Sequence, residues 1–195
     1  MAFELIALGA SWGGMRALAA VLEALPEEFE LPLVVAQHRP PGGGDEMLER
    51  ALANSSKLPV VAVDDKEPLR PGTVFIAPPD YHLIVEPGHL ALSTDEFVQF
   101  ARPSIDVLFE SAADVYGARA VGVLLTGANQ DGAEGLARIA AAGGFTIAED
   151  PATAERAEMP AAAVERGAAR KVLALERIGP FLAGLDAARA GGGTR

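Results

Sequence analysis

Ser11, His38 and Asp131 are a hydroxyl, an imidazole and a carboxylate, each placed just past an apolar run of the chain. Together those groups can carry acyl transfer. A serine hydroxyl is a poor nucleophile at its free pKa and needs a base within hydrogen-bond reach. Histidine suits that task because its pKa lies near neutrality, and a carboxylate fixes the tautomer of the base and stabilises the imidazolium. The chain order Ser, His, Asp matches none of the three commonest triad scaffolds, but such triads are defined by geometry and roles. Gly9, Gly13 and Gly14 flank Ser11 and permit a tight turn that lifts the side chain. The backbone N–H groups of that turn, at a helix start, can hold an oxyanion. The loop 126–132 brings further backbone toward the same edge.

Taken singly, each residue has an ordinary explanation. A serine in a glycine-rich strand-to-helix turn is commonly a helix cap or a phosphate contact, and an Asp before Gly is commonly a turn residue. A lone His after a strand is usually structural or exposed. Joint placement at three strand ends is what points to function. His82 opens a hairpin strand and His89 sits at its turn, so both are expected at the surface. Three histidines and no cysteine argue against a dedicated zinc site, and no metal is expected. The spacing Gly9-Ala10-Ser11-Trp12-Gly13 is not the dinucleotide fingerprint, which leaves nucleotide binding a distant third reading.

Alternating elements must position these residues. Residues 3–8 form an apolar run ending in the glycine turn, and Met15, Leu18, Val21, Leu22 and Leu25 follow at helical spacing until Pro26. Residues 33–36 are the next apolar run, followed by His38, a Gly42-Gly43-Gly44 loop and a helix from Asp45. Residues 60–63 are a third strand. Runs at 74–77, 82–85 and 90–92, with a turn at 86–89, predict a β-hairpin attached to an otherwise parallel sheet. Ile105, Leu108, Phe109, Ala112, Ala113 and Tyr116 repeat as a helix face, and 120–125 is the most strongly apolar strand. A helix near 133–142, a strand near 145–148, and helices near 161–166 and 178–190 around a strand at Val172 complete the pattern. The expected fold class is α/β, a doubly wound, mostly parallel sheet with flanking helices and a β-hairpin at one edge. In such sheets chemistry sits outside the carboxyl ends of the strands. One catalytic domain over 1–188 and a flexible tail over 189–195 are expected.

Composition narrows the function classes. The chain has 195 residues, half of them apolar, which suits one domain with a substantial core. With no cysteine, disulfides and a thiol nucleophile are excluded, and a reducing cytoplasm is the default compartment. A net charge of −11 repels phosphate backbones and anionic lipid, so neither nucleic acid nor membrane is the expected partner. The N-terminus has no basic region of a signal peptide, and no apolar stretch is long enough to span a bilayer. A soluble protein is expected.

The residues then resemble the chemotaxis-type protein-glutamate methylesterases, the CheB catalytic domain family. The matching stretches are Gly9-Ala-Ser-Trp-Gly-Gly14, Ala36-Gln-His-Arg-Pro-Pro41, Pro68-Leu-Arg-Pro-Gly72 and Phe75-Ile-Ala-Pro78. Arg102-Pro-Ser-Ile-Asp-Val-Leu-Phe109, Leu125-Thr-Gly-Ala-Asn-Gln-Asp-Gly132 and Met159-Pro160 complete the set, which covers about residues 3–185. The resemblance implies Ser11 as nucleophile, His38 as general base and Asp131 as the carboxylate that orients it. It implies hydrolysis of glutamyl methyl esters on the methylated cytoplasmic region of a chemoreceptor-like protein, an accompanying glutamine deamidation, and no cofactor.

The chain also departs from the family pattern. Trp12 stands where a small hydroxyl residue is usual, Ala128-Asn129 where Met-Gly is usual, and Ala101 where His is usual. Trp12, Gly13, Ala128 and Asn129 are therefore the expected oxyanion and substrate-proximal residues. Typical members carry an N-terminal receiver domain. The first catalytic strand here starts at once, so the expectation is a chain without that control, either free-standing or cut from a longer protein. The alternative to an enzyme is a catalytically silent signalling module whose site Trp12 and Asn129 have remodelled.

Overall fold

The structure, a computed structural model, describes residues 3–39 and 45–191. The Gly42-Gly43-Gly44 loop expected from the sequence lies outside the described residues. Seven strands form one parallel sheet in the order β10-β9-β8-β1-β2-β5-β3. They are β1 (Leu5–Ala10), β2 (Leu33–Gln37), β3 (Val60–Ala62), β5 (Val74–Ile76), β8 (Ala120–Leu124), β9 (Phe145–Glu149) and β10 (Lys171–Leu173). The hairpin read from the sequence is β6 (His82–Glu86) with β7 (His89–Ser93). It pairs with β4 (Glu67–Pro68) in a separate three-stranded antiparallel sheet. A two-residue strand containing Pro68 carries no periodic signal, so β4 is not legible from sequence.

The central strands are apolar throughout because both faces of the sheet are covered. Side chains alternate between faces. Leu5 and Ala7 join one core with Ile105, Phe109, Leu136 and Ile139, while Ile6 and Leu8 join the other with Leu18, Val21, Leu22 and Ile178. The first core lies under α3 (Ile105–Tyr116), α4 (Ala133–Ala141) and α5 (Glu158–Glu165), and the second under α1 (Gly14–Glu23), α2 (Asp45–Ser55) and α6 (Leu175–Gly191). The domain boundary drawn at 188 falls inside α6, because Ala187, Ala188, Arg189 and Ala190 are strong helix formers that carry it on. Residues 192–195 lie outside the described residues. Among the described residues, no helix is long and apolar enough to cross a membrane.

Register decides what meets at the carboxyl edge. Ala10 of β1 pairs with Gln37 of β2, so the next residues, Ser11 and His38, emerge side by side. The His38 N–H donates to the Ala10 carbonyl at 3.0 Å, and the Ser11 N–H donates to the Thr126 carbonyl just past β8 at 2.9 Å.

Candidate active site

Ser11, His38 and Asp131 converge at this edge. His38 Nε2 lies 2.6 Å from Asp131 Oδ2, and His38 Nδ1 lies 3.1 Å from Ser11 Oγ. An ionised carboxylate can only accept, so the ring proton sits on Nε2 and bare Nδ1 faces the serine hydroxyl. The ring thus turns Nδ1 toward the hydroxyl, and that nitrogen is free to take its proton. The Gln37 side-chain amide donates to the carbonyls of both Ser11, at 2.7 Å, and His38, at 2.9 Å. One buried amide thereby ties the serine backbone to the histidine backbone. Its position directly before His38 is the only signal the sequence carries for that role.

Asp131 is completely buried, and all its lone pairs are directed. Oδ2 accepts from His38 and from the Ile105 N–H at 2.7 Å; Oδ1 accepts from the Ser104 hydroxyl at 2.9 Å and the Asp106 N–H at 3.0 Å. The carboxylate therefore sits on the N-terminus of α3, where the helix dipole favours negative charge. Burial alone would raise its pKa. The hydrogen bond and charge of His38, with the Ile105 and Asp106 N–H groups, outweigh burial and hold the pKa below the ordinary aspartate value.

Asp106 behaves in the opposite way. Its Oδ1 accepts from the N–H groups of Gly132, at 2.8 Å, and Gly135, at 2.7 Å, at the start of α4, and its Oδ2 accepts from Gln99 at 2.6 Å. Burial, opposed by the Gly135 bond and reinforced by the charge of nearby Asp131, pushes its pKa up to about 6. Asp131 precedes α4 and bonds α3; Asp106 lies in α3 and bonds α4. Each helix start takes its carboxylate from the other's segment. Positions about 25 apart carry this exchange, so no local sequence pattern announces it.

The Ser11 side is built differently. Gly13 has φ 78, a left-handed conformation that favours glycine. Gly14 then donates back to the Ser11 carbonyl at 2.9 Å. Among the described residues, none accepts from the backbone N–H of Trp12, Gly13 or Ala128. Gly127 brings the Ala128 loop against the serine: a Cβ there would lie 2.9 Å from Ser11 Cβ and 2.5 Å from Met159 Cε. Thr126 holds this loop in place. Its hydroxyl lies 2.9 Å from the Trp12 carbonyl and accepts from the Arg156 N–H, and its N–H donates to buried Glu149 at 2.8 Å. Burial raises the Glu149 pKa against the bond from the Thr126 N–H.

The expected neighbours of the serine fall in different places. The Trp12 ring is 59% exposed and has the Arg156 guanidinium 5.4 Å from its centroid, so it turns outward beside Ser11. Asn129 bends back into its own loop, accepting from the Asp131 N–H at 3.3 Å. Ala128 is exposed. The surface position expected for His82 is wrong: the ring is buried because the segment after β7 returns over it, with the Glu96 carbonyl 3.0 Å from Nε2. His89 is half-exposed and pairs with Glu86.

The chain is similar to known proteins over most of its length. A family model described as CheB methylesterase matches residues 6–182. A putative protein-glutamate methylesterase/protein-glutamine glutaminase of Leptospira interrogans is 42% identical over 187 residues, which cover 95% of this chain and 96% of that protein. The protein-glutamate methylesterase FrzG of Myxococcus xanthus is 42% identical over 181 residues, covering 92% of this chain but 54% of that one. The crystal structure of the Thermotoga maritima CheB methylesterase catalytic domain superposes with a TM-score of 0.89 at 34% identity, over 95% of this chain and 100% of that one.

Proposed function

The chain belongs to the CheB methylesterase family, and from that premise we propose that Ser11, His38 and Asp131 form the catalytic triad of a protein-glutamate methylesterase. The unbroken line from Ser11 Oγ through the His38 ring to Asp131, at 3.1 and 2.6 Å, carries the assignment. Ser11 Oγ attacks the ester carbonyl while His38 Nδ1 takes its proton. The N–H groups of Trp12, Gly13 and Ala128, which have no acceptor among the described residues, supply donors for the oxyanion. His38 then protonates the departing methoxide, methanol leaves, and a glutamyl ester on Ser11 remains. Water, deprotonated by the same nitrogen, releases the free glutamate side chain. Glutamine deamidation follows the same course with ammonia leaving.

The proposed substrate is the methylated cytoplasmic region of a chemoreceptor-like protein, met in the cytoplasm. A helical substrate approaches past the exposed Trp12 and Met15 side chains beside the serine. The proposed catalytic unit extends through the end of α6 at Gly191. Methanol release from a methylated receptor fragment tests the reading. Ser11→Ala should lower it at least about a thousandfold with the melting temperature unchanged, and a fluorophosphonate should label the wild type at Ser11. Full activity in Ser11→Ala, or folded wild type that is never labelled, would overturn it, the latter in favour of a silent signalling module.

A further inference from the structure

His82 is a buried titratable side chain that the proposed chemistry leaves without a task. It starts β6, in the small antiparallel sheet, and only 1% of it is exposed. Its Nδ1 accepts from the Ser104 N–H at 3.2 Å, and its Nε2 faces the Glu96 carbonyl at 3.0 Å. A carbonyl only accepts and an N–H only donates, so the two bonds together require a neutral ring with its proton on Nε2. Ser104 leads on to the site. It caps α3 by accepting from the Val107 N–H, and its hydroxyl donates to Asp131 Oδ1 at 2.9 Å.

We propose that His82 is a positioning residue for the reaction. By holding the Ser104 N–H it aims the Ser104 hydroxyl at Asp131 Oδ1, which leaves Oδ2 turned toward His38. The inference rests on the triad assignment above and extends it through two more side chains, neither of which touches Ser11 or His38. The ring nitrogens make this more than space-filling. An apolar residue of similar size fills the volume but leaves the buried Ser104 N–H without an acceptor. The Ser104 hydroxyl then has no fixed origin, and the carboxylate loses one of the four donors that set its plane.

Two near-isosteric variants separate the two nitrogens. His82→Asn places an amide oxygen where Nδ1 accepts. His82→Gln reaches the Nε2 end and offers Ser104 nothing. With methanol release as the readout, His82→Gln should lower kcat roughly 10- to 100-fold with KM nearly unchanged, while His82→Asn should stay within about threefold of wild type. Because the effect travels through the Ser104 hydroxyl, adding His82→Gln to Ser104→Ala should lower kcat by less than about twofold further. Wild-type kcat in His82→Gln, equal losses in the two variants, or fully additive losses in the double variant would each overturn the proposal. If Ser11→Ala retains full activity, the triad reading falls and this one with it. If Ser11→Ala is dead while His82→Gln matches wild type, this proposal alone fails.

Discussion

The two ends of the relay are built to opposite specifications. At the Asp131 end the carboxylate is fully buried and accepts four hydrogen bonds, from a side chain on each of two loops and from two backbone N–H groups. At the Ser11 end the serine is partly exposed, the adjacent Trp12 ring is mostly in solvent, and three backbone N–H groups have no acceptor among the described residues. A group whose charge is permanent is best held by donors already in place. A site where charge appears only during reaction needs donors kept vacant until then. Under the proposed triad, the dry end orients the base and the open end meets the substrate.

Three changes test that division, taken from the largest expected effect downward. Asp131→Asn leaves a single acceptor oxygen for four donors and presents the wrong partner to His38. It should lower kcat by about a thousand- to ten-thousandfold with little change in KM, measured by methanol release. A rise in KM with kcat intact would break the division outright. Asp106→Asn probes the dry end through stability. Its pKa is raised from 3.8 to about 6, so the folded state carries no ionisation cost below pH 3.8 and carries all of it above about pH 6.

The asparagine keeps an oxygen for Gly132 and Gly135, and the Gln99 amide can turn to accept from the new NH2 group. The melting temperature of Asp106→Asn should therefore gain on wild type by about 5 °C as pH rises from 4 to 6.5, and then hold level. A pH-independent difference would show that Asp106 is not the strained carboxylate of the pair. The smallest change is expected at the open end. Trp12→Ala should raise KM roughly three- to tenfold, with kcat and melting temperature nearly unchanged, because an exposed ring beside the nucleophile contributes binding shared by ground and transition states. A large fall in kcat would place Trp12 in the chemistry instead.

Sequence reasoning reached the open end more readily than the dry one. The apolar runs that became β1, β2 and β8, with the rule that chemistry follows strand ends, were enough to nominate Ser11, His38 and Asp131. The glycines around Ser11 also announce their turn locally, and Gly13 adopts the left-handed conformation such a turn needs. The supports of Asp131 are another matter. Ser104 and Asp106 touch it across 27 and 25 positions. The sequence puts His82 at the surface because β6 looks like an exposed hairpin strand, and only the return of the chain at Glu96 buries it. Local periodicity cannot report a contact made by a different segment. The same holds for β4, a two-residue strand recognisable only by its partner β7.

The exchange of carboxylates between α3 and α4 has a consequence for how the protein fails under stress. Asp131 bonds the first N–H groups of α3, and Asp106 bonds those of α4. Neither helix can lift from the other without stripping the bonds that both carboxylates make across the seam, so opening there has no halfway stage with one of the two sets still made. Partial opening of this kind precedes global unfolding in most domains. Here it would silence the reaction while the seven-stranded sheet is still intact. On heating, catalysis should fade ahead of the main loss of secondary structure, and loss of activity would then be the earliest sign that the α3–α4 clasp has let go.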